Sequence, residues 1–215
     1  MLSSTTPRVI RKHFPSFVIR KGLHRQVWEF LALDFDHRCA YSMQHTYRIG
    51  RKSMEVDHFN PHKRNDSIQE YENLFLATHH CNNAKRDRWP TNKDRLLGVR
   101  FLNCCKETDY GVHIFEDPDT HELVGVTPEG RYHVRNCDLN APHFVNERAD
   151  RANLLNLLEA QPVQISQGFS LPNEAQMLFD IVDKMIPKIP YLSGKALEKH
   201  RARRKALAAI STHSY

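Results

Sequence analysis

Three short polar blocks constrain the fold of this chain most, because few folds would place these residue types in this order along the chain. The blocks are "EVDHFNPHK" at 55–63, Asn73-Leu74, and "CNNAK" at 81–85. The stretch "YRIGRKSMEVDHF" predicts a tight turn at Gly50 that leads into a short strand, so we expect the first block on a hairpin. The third block follows an apolar stretch and predicts a helix that opens near Cys81 and stops at Pro90.

Asp57 and Asn82 carry oxygen atoms that suit a hard metal ion if the strand and the helix start converge. A carboxylate and an amide oxygen favour Mg²⁺, which keeps several waters for the oxygens of a substrate phosphate. Because side chains alternate along a strand, we expect the imidazole of His58 on the opposite side of the backbone, away from the metal. A histidine with an ordinary pKa of about 6.5 is largely neutral at pH 7 and can deprotonate water.

Each of these residues also has an ordinary structural interpretation. Neighbouring Asp57 and His58 alone would fit a hydrogen-bonded pair in a surface turn. Asparagine favours turns and helix caps, which would account for Asn73 or Asn82 taken singly. The spacing of all four residues favours a functional site.

Together, "EVDHFNP" and "YENLFLATHHCNNAK" resemble the HNH endonucleases, the ββα-metal nucleases, whose pattern runs D-H-x-x-P, then N-L, then C-N-x-x-K. The resemblance covers residues 35–90. It implies a metal-dependent endonuclease that hydrolyses DNA phosphodiester bonds, by nicking or double-strand cleavage, in bacterial defence or restriction. The implied cofactor is Mg²⁺ or Mn²⁺.

The resemblance also implies a role for each matching residue. His58 would activate water as the base, Asn73 would orient the site, and Lys85 would neutralise phosphate. Asn83 would replace Asn82 if the register slipped by one residue. The implied catalytic residues are His58, Asn73, Asn82 and Lys85, and the implied metal ligands are Asp57 and Asn82.

The cysteines depart from the family pattern. Many members bracket the site with two C-x-x-C knuckles that bind structural zinc, whereas this chain has "CAYS" at 39–42 and "THHC" at 78–81. A tetrahedral zinc site needs four nitrogen or sulfur ligands, so two thiolates would have to recruit His45, His79 or His80. We expect instead that Cys39 and Cys81 pack as small apolar residues without structural Zn²⁺.

Turn and breaker residues divide the chain into four regions within an α+β fold. We expect a basic N-terminal arm at 1–20, a ββα-metal core with flanking helices at 21–95, a small antiparallel meander at 96–140, and a helical region at 141–215. The stretch "GLHRQVWEFLAL" predicts a helix in the core. The meander would hold three strands, "YGVHIFED", "ELVGV" and "RYHVRNCDL", with a turn at "TPEG". The last region predicts helices at about 143–159, 172–186 and 193–210.

The charge favours a polyanionic partner. Lysine and arginine outnumber aspartate and glutamate by 31 to 25, for a net charge of +6. Phosphate contacts from basic residues would position a nucleic acid without reading its sequence, although a solvated basic surface accounts for the same charges. The predicted nucleic-acid-binding residues are Arg8, Arg11, Lys12, Lys85, Arg86, Arg88, Lys199, Arg203 and Arg204.

No stretch approaches the roughly 20 apolar residues that a membrane span requires. We expect a cytoplasmic protein with reduced cysteines, whose partners are DNA and other subunits of a defence system. One HNH site cuts one strand, so a double-strand break needs a homodimer or two successive cuts. Two alternatives stay open: a catalytically weak nucleic-acid-binding or assembly subunit of a larger complex, and a ribonuclease that uses the same site.

Overall fold

A computed structural model describes residues 8–65, 68–107 and 110–160. These ranges form a mixed α+β structure with two small antiparallel sheets. The helices are α1 (Trp28–Asp34), α2 (Thr46–Ile49), α3 (His79–Lys85), α4 (Asn92–Leu96), α5 (Tyr110–His113), α6 (Pro128–Asn136) and α7 (Pro142–Ala160). The strands are β1 (Met54–His58), β2 (Leu74–Thr78), β3 (Ile114–Glu116) and β4 (Leu123–Gly125). Short 3-10 turns lie at His24–Val27, Arg51–Ser53, Pro61–Asn65 and Tyr71–Asn73.

Strands β1 and β2 form an antiparallel hairpin that leads directly into α3. The register pairs Asp57 with Phe75, and every residue of β2 is buried. Thr78 ends β2 and caps α3, because its side-chain oxygen accepts the backbone N–H of Cys81 at 3.1 Å. The predicted hairpin strand and the following helix are thus confirmed, although α3 begins two residues before Cys81. It ends at Lys85, where Arg86 turns into a positive φ of 48°, well before Pro90.

The helix predicted in "GLHRQVWEFLAL" is α1, preceded by the 3-10 turn at His24–Val27. Its inner face buries Leu31 and Ala32 completely. Opposite, an aromatic cluster fixes the end of β1, with the rings of Phe59 and Phe75 stacked at 4.7 Å. Apolar packing therefore holds the hairpin in place next to His58.

The predicted meander is wrong in its third strand and in the first half of its first strand, where "YGVH" forms α5. Strands β3 and β4 form a two-stranded sheet, but "RYHVRN" lies in α6. Thr127 accepts the N–H of Gly130 at 3.1 Å and Pro128 occupies the first helical turn, so "TPEG" is a helix start and not a β-turn. Gly130 is required there because a Cβ would lie 2.0 Å from the carbonyl oxygen of His113.

The helix predicted at 143–159 is confirmed as α7, which a hydrogen bond and ion pairs join to the rest of the protein. Gln44 donates to Glu147 at 2.6 Å, Arg48 pairs with Asp150 at 3.0 Å, and Arg151 pairs with buried Glu116. The helices predicted at 172–186 and 193–210, together with Lys199, Arg203 and Arg204, lie outside the described residues.

Residues 8–20 of the predicted N-terminal arm lie outside the helices and strands and run along the protein. The N–H of Val9 donates to the carbonyl of Cys104 at 2.9 Å, and the N–H of Gln69 donates to the carbonyl of Ile19 at 2.7 Å. Across the described ranges, no helix combines the length and the apolar character needed to cross a bilayer.

Candidate functional site

Asp57 points into the protein, where its carboxylate has two partners. The Lys85 ammonium lies 3.0 Å from Oδ2 and 3.2 Å from Oδ1, and the Tyr41 hydroxyl donates to Oδ2. Lys85 is fully buried and Asp57 is only 5% exposed. Burial raises the pKa of Asp57, and the opposing charge of Lys85 offsets this only in part.

Asp57 as arranged does not fit a metal ligand. The ammonium group of Lys85 already supplies a neutralising cation to this carboxylate, which is closed off from solvent. A divalent ion beside that ammonium would be repelled in a poorly solvated region. Lys85 also donates to the His58 carbonyl at 2.8 Å. The prediction that Lys85 contacts phosphate is therefore corrected, because the side chain is enclosed and serves to hold β1 against α3.

Asn82 meets Glu55, two residues before Asp57. The Asn82 amide donates to Glu55 Oε2 at 2.7 Å, and His79 Nδ1 lies 2.8 Å from Glu55 Oε1. Asn83 extends the group, since its amide nitrogen lies 2.7 Å from His79 Nε2. Burial raises the pKa of Glu55, but the hydrogen bonds from Asn82 and His79 outweigh it and lower the pKa overall.

The predicted pairing of Asp57 with Asn82 is therefore replaced by a pairing of Glu55 with Asn82. Glu55 and Asn82 are both partly exposed, so a hydrated ion could reach the Glu55 carboxylate. The Asn82 amide oxygen would join it as a ligand once the amide turns away from its hydrogen bond to Glu55. This donor set fits Mg²⁺ or Mn²⁺, which bind through one or two carboxylates and retain waters. Within the described ranges, no group of three or more His, Cys, Asp and Glu side chains converges in a metal-binding arrangement.

His58 lies on the opposite face of β1 from Asp57, as strand alternation predicts. Its Nε2 is hydrogen-bonded to Oε1 of Gln69, a buried residue. Its ring packs edge-on against the ring of His24, with 4.9 Å between the centroids. With the Nε2 proton held by Gln69, the lone pair on Nδ1 is the basic position of the ring.

His58 opens into a cleft of about 250 Å³ that we call the histidine cleft. Its lining residues are Lys21, Gly22, His24, His58, Arg64 and Gln69. Two of these, Lys21 and Arg64, are exposed cations. Burial, followed by the charges of Arg64 and Lys85, lowers the pKa of His58, while the Gln69 hydrogen bond opposes the shift. The imidazole is consequently neutral at pH 7 and able to accept a proton.

Asn73 orients the chain that follows His58, and does so through the backbone of Asn60. Its Oδ1 accepts the Asn60 N–H at 2.8 Å and its Nδ2 donates to the Asn60 carbonyl at 3.0 Å. The Asn73 carbonyl also accepts the N–H of Phe59 at 2.8 Å. These three bonds place the residues immediately after His58, which fits a positioning role.

Two of the predicted nucleic-acid-binding arginines are directed inward. The guanidinium of Arg8 donates to the Ala40 carbonyl, and that of Arg11 donates to the Leu74 carbonyl at 2.8 Å and lies 4.9 Å from the Tyr71 ring centroid. The prediction is corrected for both, because these groups stabilise the fold. Lys12, Arg86 and Arg88 are exposed and stay predicted phosphate contacts.

Cys39 and Cys81 are completely buried and close together. The Cys39 sulfur accepts the N–H of Thr78 at 3.3 Å and the N–H groups of Tyr41 and Ser42 at 3.4 Å each. Burial raises the pKa of Cys39, but hydrogen bonds from Cys81 and from the neighbouring chain outweigh it and bring the pKa to about 6. The two thiols join the loop before α2 to the start of α3.

Sequence reasoning missed four residues of these sites: Tyr41, Glu55, His24 and Gln69. The signal for Glu55 was present, because a residue two positions before Asp57 shares its strand face and faces the same helix. His24 and Gln69 reach His58 from segments that no local pattern connects to it.

Comparison with known proteins assigns no relative to this chain. No family model matches it, and neither a curated protein nor a solved structure is significantly similar.

Proposed function

We propose that this protein is an endonuclease of the HNH type that hydrolyses phosphodiester bonds, with DNA as its substrate. The observation that carries the proposal is the setting of His58. A neutral imidazole, fixed at Nε2 by Gln69, opens into a cleft whose rim carries the cations Lys21 and Arg64. Further support comes from the order of the elements, since β1, β2 and α3 follow one another as strand, strand and helix.

The chemistry assigned to His58 is general base catalysis. Nδ1 accepts a proton from water as the water oxygen attacks the phosphorus atom, a role that contributes about 10² to 10⁴-fold in rate. The depressed pKa keeps the ring unprotonated at neutral pH. Lys21 and Arg64 attract the phosphate and offset the charge that builds on its oxygens. Asn73 keeps the residues after His58 in place through Asn60.

Glu55 and Asn82 would hold the Mg²⁺ or Mn²⁺ ion that the HNH resemblance implies. When bound, such an ion supplies positive charge that stabilises a phosphorane and a leaving oxygen. The partial exposure of both side chains supports this assignment over one that involves Asp57, which is buried against Lys85.

A plasmid relaxation assay tests the proposed function. Wild type and His58→Ala are compared on supercoiled DNA with Mg²⁺ or Mn²⁺, and on a labelled single-stranded RNA. We expect wild type to nick the plasmid, with a loss of about 10²-fold or more in His58→Ala. His143→Ala is the matched control, because His143 is an exposed histidine that packs against another histidine, His80, at 4.6 Å. Equal nicking by wild type and His58→Ala would remove His58 from the reaction, and cleavage of RNA alone would move the proposal to a ribonuclease.

A catalytically weak nucleic-acid-binding or assembly subunit is the second candidate. The observation in its favour is the buried pair of Asp57 and Lys85, which withdraws the acidic residue of the D-H motif from metal binding. This candidate expects DNA binding that weakens with salt, unchanged in His58→Ala, and no cleavage under any metal condition. A gel-shift titration run beside the relaxation assay separates the two functions.

A further inference from the structure

The two histidines of the cleft come from separate parts of the fold. His24 lies on the 3-10 turn that precedes α1, and His58 ends β1. Their rings meet edge-on, with an interplanar angle of 62° and 4.9 Å between centroids. Both side chains are partly exposed and both line the histidine cleft. A substrate that reaches one ring therefore also reaches the other.

The neighbouring charges that shift the pKa values of this pair are positive, although Arg64 is itself paired with Asp87 and Lys85 with Asp57. Burial, then the charge of His58, then that of Arg25 lower the pKa of His24. Arg64 and Lys85 act in the same direction on His58. Two imidazolium rings in contact repel each other, so in the free protein the pair holds at most one proton at neutral pH.

An anion in the cleft reverses this balance. A phosphodiester placed between the cations Lys21 and Arg64 would bring a negative charge to the pair and favour uptake of a proton, which the repulsion between two imidazolium rings limits to one ring. Arg64 is already oriented by a two-bond pair with Asp87, at 2.6 and 3.0 Å, on the protein surface. A phosphate can take the place of Asp87 in the same bidentate geometry.

We propose that His24 is a second catalytic residue, which takes up a proton when a phosphodiester enters the histidine cleft and donates it to the leaving oxygen. The inference rests on the proposed function of His58. As the bond from water oxygen to phosphorus forms, the water proton passes to Nδ1 of His58. As the bond from phosphorus to the leaving oxygen breaks, that oxygen receives the proton of His24. The products are a phosphate monoester and an alcohol, and the pair returns to its starting state by transfer of a proton through solvent.

A titration followed by NMR tests proton uptake without requiring cleavage. The imidazole resonances of wild type are followed against pH with and without inorganic phosphate, and assigned with His24→Gln and His58→Gln. We expect phosphate to raise the pKa of His24 and to leave that of His143 unchanged. His143 is the matched control, because it also packs edge-on against a histidine and has a pKa lowered by burial and by His80, but does not line the cleft. An equal response of His24 and His143 would overturn the proposal.

Single-turnover cleavage tests the catalytic step. We expect His24→Gln to lower the cleavage rate by about 10²-fold. The variant should also lose the alkaline limb of the pH–rate profile, in which the rate of wild type falls as the general acid loses its proton. His143→Gln should leave the cleavage rate and both the acid and the alkaline limb of the pH–rate profile unchanged. An unchanged alkaline limb in His24→Gln would overturn the catalytic role, whatever the rate, because a purely structural role lowers the rate without moving the limb. If wild type cleaves nothing while phosphate still raises the pKa of His24, the nuclease proposal fails and the anion site stands.

Discussion

Lys85 and Asp57 form an ion pair inside the protein, with the ammonium nitrogen 3.0 Å from a carboxylate oxygen. The pair crosses from α3 to β1 and also involves Tyr41, whose hydroxyl donates to the same carboxylate. Two residues that match the HNH pattern thus stabilise the contact between α3 and β1. The consequences can be measured as stability, metal affinity and pH dependence.

Lys85→Met should destabilise the fold strongly. The methionine fills the lysine volume but leaves the Asp57 carboxylate buried without its cation, a change that costs about 3–5 kcal/mol. Urea denaturation monitored by circular dichroism measures it. Lys63→Met is the control, because Lys63 pairs with Glu70 at 2.6 Å with both side chains exposed, and an exposed pair contributes less than about 1 kcal/mol. Equal effects of the two variants would contradict a structural role for the Asp57–Lys85 pair.

Glu55→Gln should weaken Mn²⁺ binding by about tenfold or more, because it removes the charged oxygen ligand of the pair with Asn82. Electron paramagnetic resonance of free Mn²⁺ measures the affinity without reference to activity. Glu70→Gln, which removes an exposed carboxylate elsewhere, should bind Mn²⁺ like wild type. If Asp57→Asn abolished binding while Glu55→Gln preserved it, the metal would belong to Asp57.

Asn73→Ala should lower the free energy of unfolding by about 1–3 kcal/mol, since it leaves the backbone N–H and carbonyl of Asn60 without their partner. It should also slow cleavage, because those bonds place the chain after His58. Asn83→Ala, at an exposed position of α3, is the stability control. Retention of full stability and full rate in Asn73→Ala would remove Asn73 from both roles.

His133 should make the protein less stable in mild acid. It is completely buried, its Nδ1 accepts the Leu102 N–H at 3.1 Å, and burial lowers its pKa to about 3. The unfolded chain therefore binds a proton below pH of about 6.5 that the folded protein does not, and stability is lost as the pH falls from there towards 3.

The expected loss attributable to His133 is about 2 kcal/mol between pH 7 and pH 5, at about 1.36 kcal/mol per pH unit below the unfolded pKa. Urea denaturation at several pH values measures it. His133→Gln, which offers an amide oxygen to Leu102 and does not titrate, should show a flatter profile. Parallel profiles for the two proteins would place the acid sensitivity in other groups.

The local elements were predictable because their signals are local. Alternation and turn residues place β1, apolar spacing places α1, and the region after Asn140 predicts α7. The prediction of a third strand in the meander was wrong because Thr127-Pro128 can begin a helix as readily as it forms a turn. The helix prevails there because Gly130 allows α6 to approach the carbonyl of His113.

The sequence by itself determined the hairpin, the helix after it, and the placement of His58 on the opposite strand face from Asp57, because these follow from periodicity within a few residues. Only the tertiary structure decided which partner each polar side chain meets. Asn82 reaches Glu55, Lys85 buries itself against Asp57, and His24 joins His58 across 34 positions of the chain. The physical reason is that a hydrogen bond or an ion pair depends on the relative position of whole elements, which is set by the packing of the core between them.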